Sequence, residues 1–119
     1  MRTFLVLLAT LFALTHNITQ NKADVFPTKL QVTVLDEAGN PVIGAEVELY
    51  KSEADYEAGK NPVGTKMKTD AKGKATFSEL EPVIYFVKAE KGDLDNSGAG
   101  THTEALVAKK INKVNVIIS

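Results

Sequence analysis

The 119-residue chain has no cysteine and no tryptophan, and its one arginine is Arg2. Without cysteine there is no disulfide framework, no thiolate nucleophile and no attachment point for an amino-terminal lipid. A folded domain must then be stabilised by an apolar core, which a chain of roughly 100 residues is long enough to build. Leaving Arg2 aside, 13 lysines stand against 15 acidic residues, a formal charge of about −2. The lysines are interleaved with acids, whereas nucleic-acid binders gather Lys and Arg on one face, so DNA and RNA are excluded as expected partners. Lys66/Lys68/Lys72/Lys74 and Lys109/Lys110/Lys113 read as solvated faces. No apolar run approaches the ~20 residues of a membrane-crossing helix.

The longest apolar run, Phe4 to Leu14, follows the basic Arg2 and ends in the small residues Ala13 and Thr15. This is the pattern of a secretory signal peptide over residues 1–15, with cleavage between about 15 and 22 and no membrane span afterwards. Residues 16–28 read as a flexible tether, with Pro27 preventing a helix before the first strand. Residues 29–119 are then a single domain. A cysteine-free exported domain suits a bacterial periplasm or exterior, and the Asn17-Ile18-Thr19 sequon is read as chance.

Two segments share a turn grammar. Asp36-Glu37-Ala38-Gly39 and Asp70-Ala71-Lys72-Gly73 each place a backbone-binding Asp three residues before a Gly free to take positive φ, which predicts tight turns closing β-hairpins. Strand character recurs at about 29–35, 44–51, 63–69, 74–79, 83–90, 103–108 and 112–118, with clear alternation at Leu30/Val32/Val34 and Val47/Leu49. Val83-Ile84-Tyr85-Phe86-Val87 is apolar at every position and predicts a central strand covered on both faces. Ser52 to Gly59 is read as a surface loop, with a two-turn helix from its acidic start as the alternative. Seven short strands with frequent turns predict an all-β, seven-stranded β-sandwich.

At Gly44-Ala45-x-Val47-x-Leu49-Tyr50 and Thr69-Asp70-x-x-Gly73-x-Ala75-x-Phe77-x-x-Leu80-x-Pro82-x-x-Tyr85-x-Val87 the chain resembles two groups of secreted domains. These are the carboxypeptidase regulatory-like domains and the B-type domains of the collagen-binding adhesin, both prealbumin-like sandwiches related in outline to immunoglobulin-like ones. The resemblance spans about residues 29–118 and implies a fold used for stalks, spacers and accessory domains rather than one activity. Many adhesin B-type domains carry an internal Lys–Asn isopeptide bond. The resemblance places its lysine at Val34 and its acid at Ala89, and leaves Asn115 to match the amide, so no crosslink is expected. Lys29 and Glu90 are near in sequence, but a one-residue shift turns a side chain to the other face of a sheet. Transthyretin-like hydroxyisourate hydrolases share the topology, yet their histidine-bearing strands and carboxy-terminal Tyr-Arg-Gly-Ser are absent.

Residues 93–104 space Asp93, Asp95, Ser97, Gly98 and Glu104 as an EF-hand calcium loop does, so those four oxygen-bearing side chains are the candidate metal ligands. Gly100 at the eighth position and the flanking strands depart from that motif, and a polar turn-rich loop is the alternative. His102 has no cysteine or second histidine beside it, which favours a solvent-exposed side chain over a transition-metal site or a nucleophile–histidine pair. Tyr56 is the candidate exposed ring for stacking a sugar. Together these readings imply a secreted or periplasmic, non-enzymatic interaction module. It would present loops 52–62 and 92–102 to an extracellular protein or glycan, and needs no cofactor unless the 93–104 loop takes calcium.

Overall fold

A computed structural model describes residues 26–119 of the protein; the signal-peptide reading and most of the expected tether lie outside these residues. The chain forms strands β1 (Lys29–Leu35) and β2 (Glu46–Tyr50), helix α1 (Glu53–Ala58), then β3 (Val63–Lys68), β4 (Lys74–Phe77), β5 (Phe86–Lys91), β6 (Leu94–Asp95) and β7 (Ile111–Ile117). These strands make a three-stranded sheet in the order β4-β1-β7 and a four-stranded sheet in the order β3-β2-β5-β6. All ladders are antiparallel except β1 with β7, which run parallel from Lys29↔Ile111 to Leu35↔Ile117.

Strict alternation decides which face meets which. In β1, Leu30, Val32 and Val34 point inward while Lys29, Gln31, Thr33 and Leu35 are half-exposed. The opposing sheet supplies Val47, Leu49, Val87 and Ala89, and the two inner faces join Ala75, Phe77, Leu106, Val116 and Ile118 in one apolar core. Each fully buried Val or Leu contributes about 1.5–3 kcal/mol relative to exposure, so this layer is the principal stabilising term for a domain without disulfides. Among the described residues the buried polar ones are Thr28, Thr69, Asn96 and Thr103, all uncharged.

The two Asp–Gly turns form as expected. Asp36 Oδ1 accepts the Ala38 and Asn40 N–H groups, at 3.0 and 2.9 Å, and Asp70 Oδ1 accepts those of Lys72 and Lys74, at 2.8 and 3.0 Å. Gly39 and Gly73 take φ of 88° and 77°. The strands they join differ from the hairpins expected, because β1 and β2 belong to different sheets, as do β3 and β4. Both turns therefore carry the chain across the sandwich, and the Gly73 carbonyl accepts the Val34 N–H at 2.8 Å where the turns meet. Thr69 locks the crossing, its hydroxyl donating to Val42 O at 2.6 Å and accepting the Ala45 N–H at 2.8 Å.

Three other expectations are corrected. The strand expected at 83–90 begins at Phe86, and Val83 and Ile84 are 37% and 45% exposed rather than covered on both faces. Residues 103–108 form no regular strand. They lie beside 83–86 through irregular bonds: Thr103 N–H to Tyr85 O, Tyr85 N–H to the Thr103 hydroxyl, and Leu106 N–H to Val83 O. A side-chain hydroxyl standing in for a backbone carbonyl breaks the ladder at that point. The seventh strand is instead the short β6, and Ser52 to Gly59 is the helix rather than the loop. Ser52 Oγ accepts the Asp55 N–H, and Gly59 closes the helix with φ of 66°.

Candidate binding face

The outer face of the four-stranded sheet carries the side chains that alternation turns away from the core. The β2–β5 register sets Glu46 opposite Glu90, Glu48 opposite Lys88 and Tyr50 opposite Phe86. Helix α1 lies over the Tyr50–Phe86 end and brings down Tyr56. Its ring meets Tyr50 edge-on at 6.0 Å and Phe86 at 6.3 Å, with Lys88 Nζ 6.0 Å from its centroid. Phe86 in turn packs on His102 at 5.7 Å, and a backbone bridge joins the same two residues. Tyr56, Phe86 and His102 form a row that links the helix-bearing 52–62 segment to the end of the 92–102 segment across β5, with the exposed Ile84 two residues before Phe86. Such contacts contribute about 0.5–1.5 kcal/mol each beyond area and hold the rings in fixed orientation.

Tyr56 is therefore half-buried within a cluster rather than a lone ring on a loop. Burial, with Asp95 and Glu57 behind it, raises its pKa above the ordinary tyrosine value. Tyr50 is almost wholly buried beneath it. Its hydroxyl, desolvated and hydrogen-bonded to Glu48 at 3.1 Å, is pushed up to about 12. Phe86 and Lys88 are not singled out by the sequence reading, and Tyr50 enters it only through the motif that carries the family resemblance. The signal for Phe86 and Lys88 is the alternation of Phe86/Lys88/Glu90 against Val87/Ala89, hidden by the apolar run preceding it.

The 93–104 residues are placed as follows. Asp95 lies in β6, where its Oδ1 accepts the Ser97 N–H at 3.0 Å and the Ser97 hydroxyl at 2.6 Å; these bonds hold its carboxyl below the usual range. Asp93 precedes β6, and Glu104 is exposed beyond the His102 bridge. Among the described residues no group of three or more His, Cys, Asp or Glu side chains is placed to hold a metal ion. Asn96, between Asp95 and Ser97, is buried, and its amide pairs with β5 by accepting the Ala89 N–H at 3.1 Å and donating to Val87 O at 2.8 Å. His102 is exposed, with Nδ1 3.1 Å from Thr103 O.

The lysine and acid positions of the isopeptide pattern are inside the core and apolar. Val34 and Ala89 are fully buried, and the residue paired with Val34 on β7 is Val116. Asn115 pairs with Thr33 and is exposed on the outer face, and Glu90 sits on the outer face of the other sheet. Among the described residues no lysine, acid or amide meets another in the interior, and no buried side-chain polar atom lacks a hydrogen bond.

The two sheets enclose an apolar core, and the charged and aromatic side chains described above lie on their outer faces. The chain belongs to the family of SpaA prealbumin-like fold domains, whose description matches residues 28–95. No curated protein matches it. Among solved structures it is similar to the minor pilin of the gram-positive pathogen Streptococcus agalactiae, at 17% identity and a TM-score of 0.60, over 79% of this chain and 44% of the pilin. A streptococcal ancillary pilin matches at 19% identity and a TM-score of 0.61, over 80% of this chain and 33% of the other. Chlorocatechol 1,2-dioxygenase from Pseudomonas putida matches at 13% identity and 0.53, over 80% and 61%. These likenesses are of fold. The chain spans less than half the length of the two pilins. Among the described residues no helix is long and apolar enough to cross a membrane.

Proposed function

We propose that this protein is a secreted, non-enzymatic surface module that acts by binding an extracellular or periplasmic protein through the outer face of its four-stranded sheet. The observation that carries the reading is the Tyr56–Phe86–His102 row, with ring centroids at 6.3 and 5.7 Å, which joins the 52–62 and 92–102 segments into one platform. Aromatic side chains held by packing offer contact area at low entropic cost, and charged Lys88, Glu48 and Asp95 around them supply a polar rim. Likeness to pilins agrees with a surface role, and the uncharged interior supports a passive mechanism.

The test is an array of immobilised extracellular-matrix proteins and glycans, probed with wild-type protein and with a Tyr56→Ser/His102→Ser variant of unchanged circular dichroism. Binding to protein spots that the variant loses supports the reading. Retention by glycan spots alone assigns the face to sugars instead, where the half-exposed rings would stack on pyranose faces. Protein binding that the double variant retains overturns the assignment of the face.

A further inference from the structure

Among the described residues, the sandwich has one long, regular strand edge, that of β7, on which Lys113 is the single charged side chain. Strand β3 is bulged opposite Val47/Leu49 and carries Lys66 and Lys68; β4 is four residues long and starts with Lys74; β6 has two residues and pairs with Ser119 through Asp95. These are the usual devices that blunt an edge. Strand β7 has seven residues, Ile111-Asn112-Lys113-Val114-Asn115-Val116-Ile117, with no proline and no bulge. Its ladder with β1 begins with Lys29 N–H to Lys110 O and ends with Ile118 N–H to Leu35 O, so the even-numbered residues between them face β1. The N–H and C=O groups of Ile111, Lys113, Asn115 and Ile117 point to the open side. Their side chains are all exposed on the outer face, Ile111 at 48% and Ile117 at 49%.

We propose that this edge pairs antiparallel with β7 of a second copy, centred on Val114, to join two three-stranded sheets into one of six strands. The strand carries an isoleucine at each end, Ile111 and Ile117, equally far from Val114. In that register Ile111 faces Ile117 of the second copy and Lys113 faces its Asn115, each pair formed twice by the two-fold axis. Every outward backbone group finds a partner, the two exposed isoleucines of each copy are covered by those of the other, and the single charge meets a neutral amide. Shifting the register by two residues breaks this: centred on Lys113 it sets Lys113 against Lys113, and centred on Asn115 it sets Lys113 against Ile117. An isologous contact of this kind closes at two copies. A dimer presents two Tyr56–Phe86–His102 faces at once, which raises avidity without a new contact. The pairing itself does not depend on what that face binds.

The test is sedimentation velocity over a concentration series reaching about 1 mM, because an edge-to-edge contact is small and the dimer correspondingly weak. Wild type is expected to show a monomer–dimer equilibrium. Ile111→Lys/Ile117→Lys places two like-charged pairs across the axis and should raise the dissociation constant about tenfold or more. Ile111→Glu/Ile117→Lys carries two substitutions at the same exposed sites but sets Glu against Lys, and should return the dimer. A wild type that is monomeric throughout, a dimer indifferent to the double lysine variant, or failure of the Glu/Lys variant to recover would each overturn the proposal.

Discussion

Gly73 is the position at which turn chemistry and sheet packing meet, and alanine there tests both. Gly39 and Gly73 occupy equivalent places in the two turns, at φ of 88° and 77°. A Cβ at Gly39 meets nothing within 4 Å, whereas one at Gly73 falls 2.9 Å from Pro41 Cβ and 3.0 Å from the Val34 carbonyl oxygen. Both substitutions incur the left-handed cost of about 1–2 kcal/mol, offset by about 0.4–1 kcal/mol from the stiffer unfolded chain. Gly39→Ala should therefore destabilise by ~1 kcal/mol. Gly73→Ala adds the overpacking cost of about 1–3 kcal/mol, because Pro41 and the β1 backbone are not free to retreat. With a urea m-value of about 1 kcal/mol/M, the two unfolding midpoints should lie ~2 M apart, Gly73→Ala being the lower. Equal midpoints would refute the contact between the turns, and with it the crossing of both connections at that end of the sandwich.

Alkaline pH should weaken the fold through Tyr50. Its folded pKa of about 12 lies above the unfolded value of 10.0, so its contribution is complete below pH ~10 and is lost as pH rises through ~12. The loss should be about 1–2 kcal/mol, less than the full shift implies because Glu48 is part-exposed, and Tyr50→Phe should flatten this part of the stability–pH curve. Asn96→Ala leaves the Ala89 N–H and Val87 O without their side-chain partners and should cost about 2–4 kcal/mol in denaturant unfolding, while a change below ~0.5 kcal/mol would mean the amide is dispensable. For calcium, Asp95 is already engaged by Ser97, so melting midpoints with calcium and with chelator should agree within about 1 °C. A rise of several degrees with calcium that Asp93→Asn/Asp95→Asn abolishes would establish binding through the 93–104 segment.

The parts of the fold legible in the sequence are those where alternation and turn chemistry agree. Leu30/Val32/Val34 and Val47/Leu49 identified their inner faces, and Asp36–Gly39 and Asp70–Gly73 identified both turns, because side chain and backbone requirements there are local. Which sheet each flanking strand joins is not local, so hairpins were expected where the chain in fact crosses the sandwich. The run Val83 to Val87 resembled a doubly covered strand because hydrophobicity alone does not reveal that Thr103 replaces a ladder bond with its hydroxyl and leaves Ile84 exposed. Of the candidate site, Tyr56 was visible as a residue but not as a neighbour of Tyr50 and Phe86, since that depends on the Ser52-capped helix laying it over β2 and β5. Asn115 could be tied to an amide role only by resemblance, and its exposed place beside Thr33 follows from a parallel register between distant strands.

The proposed surface role requires an interior that is an uncrosslinked apolar layer. The most direct measurement is the intact mass of the purified protein, with its amino terminus identified by fragmentation. The expected mass is that of the unmodified polypeptide; a mass lower by one molecule of ammonia would show that a lysine and an amide had joined, and would contradict an uncrosslinked core.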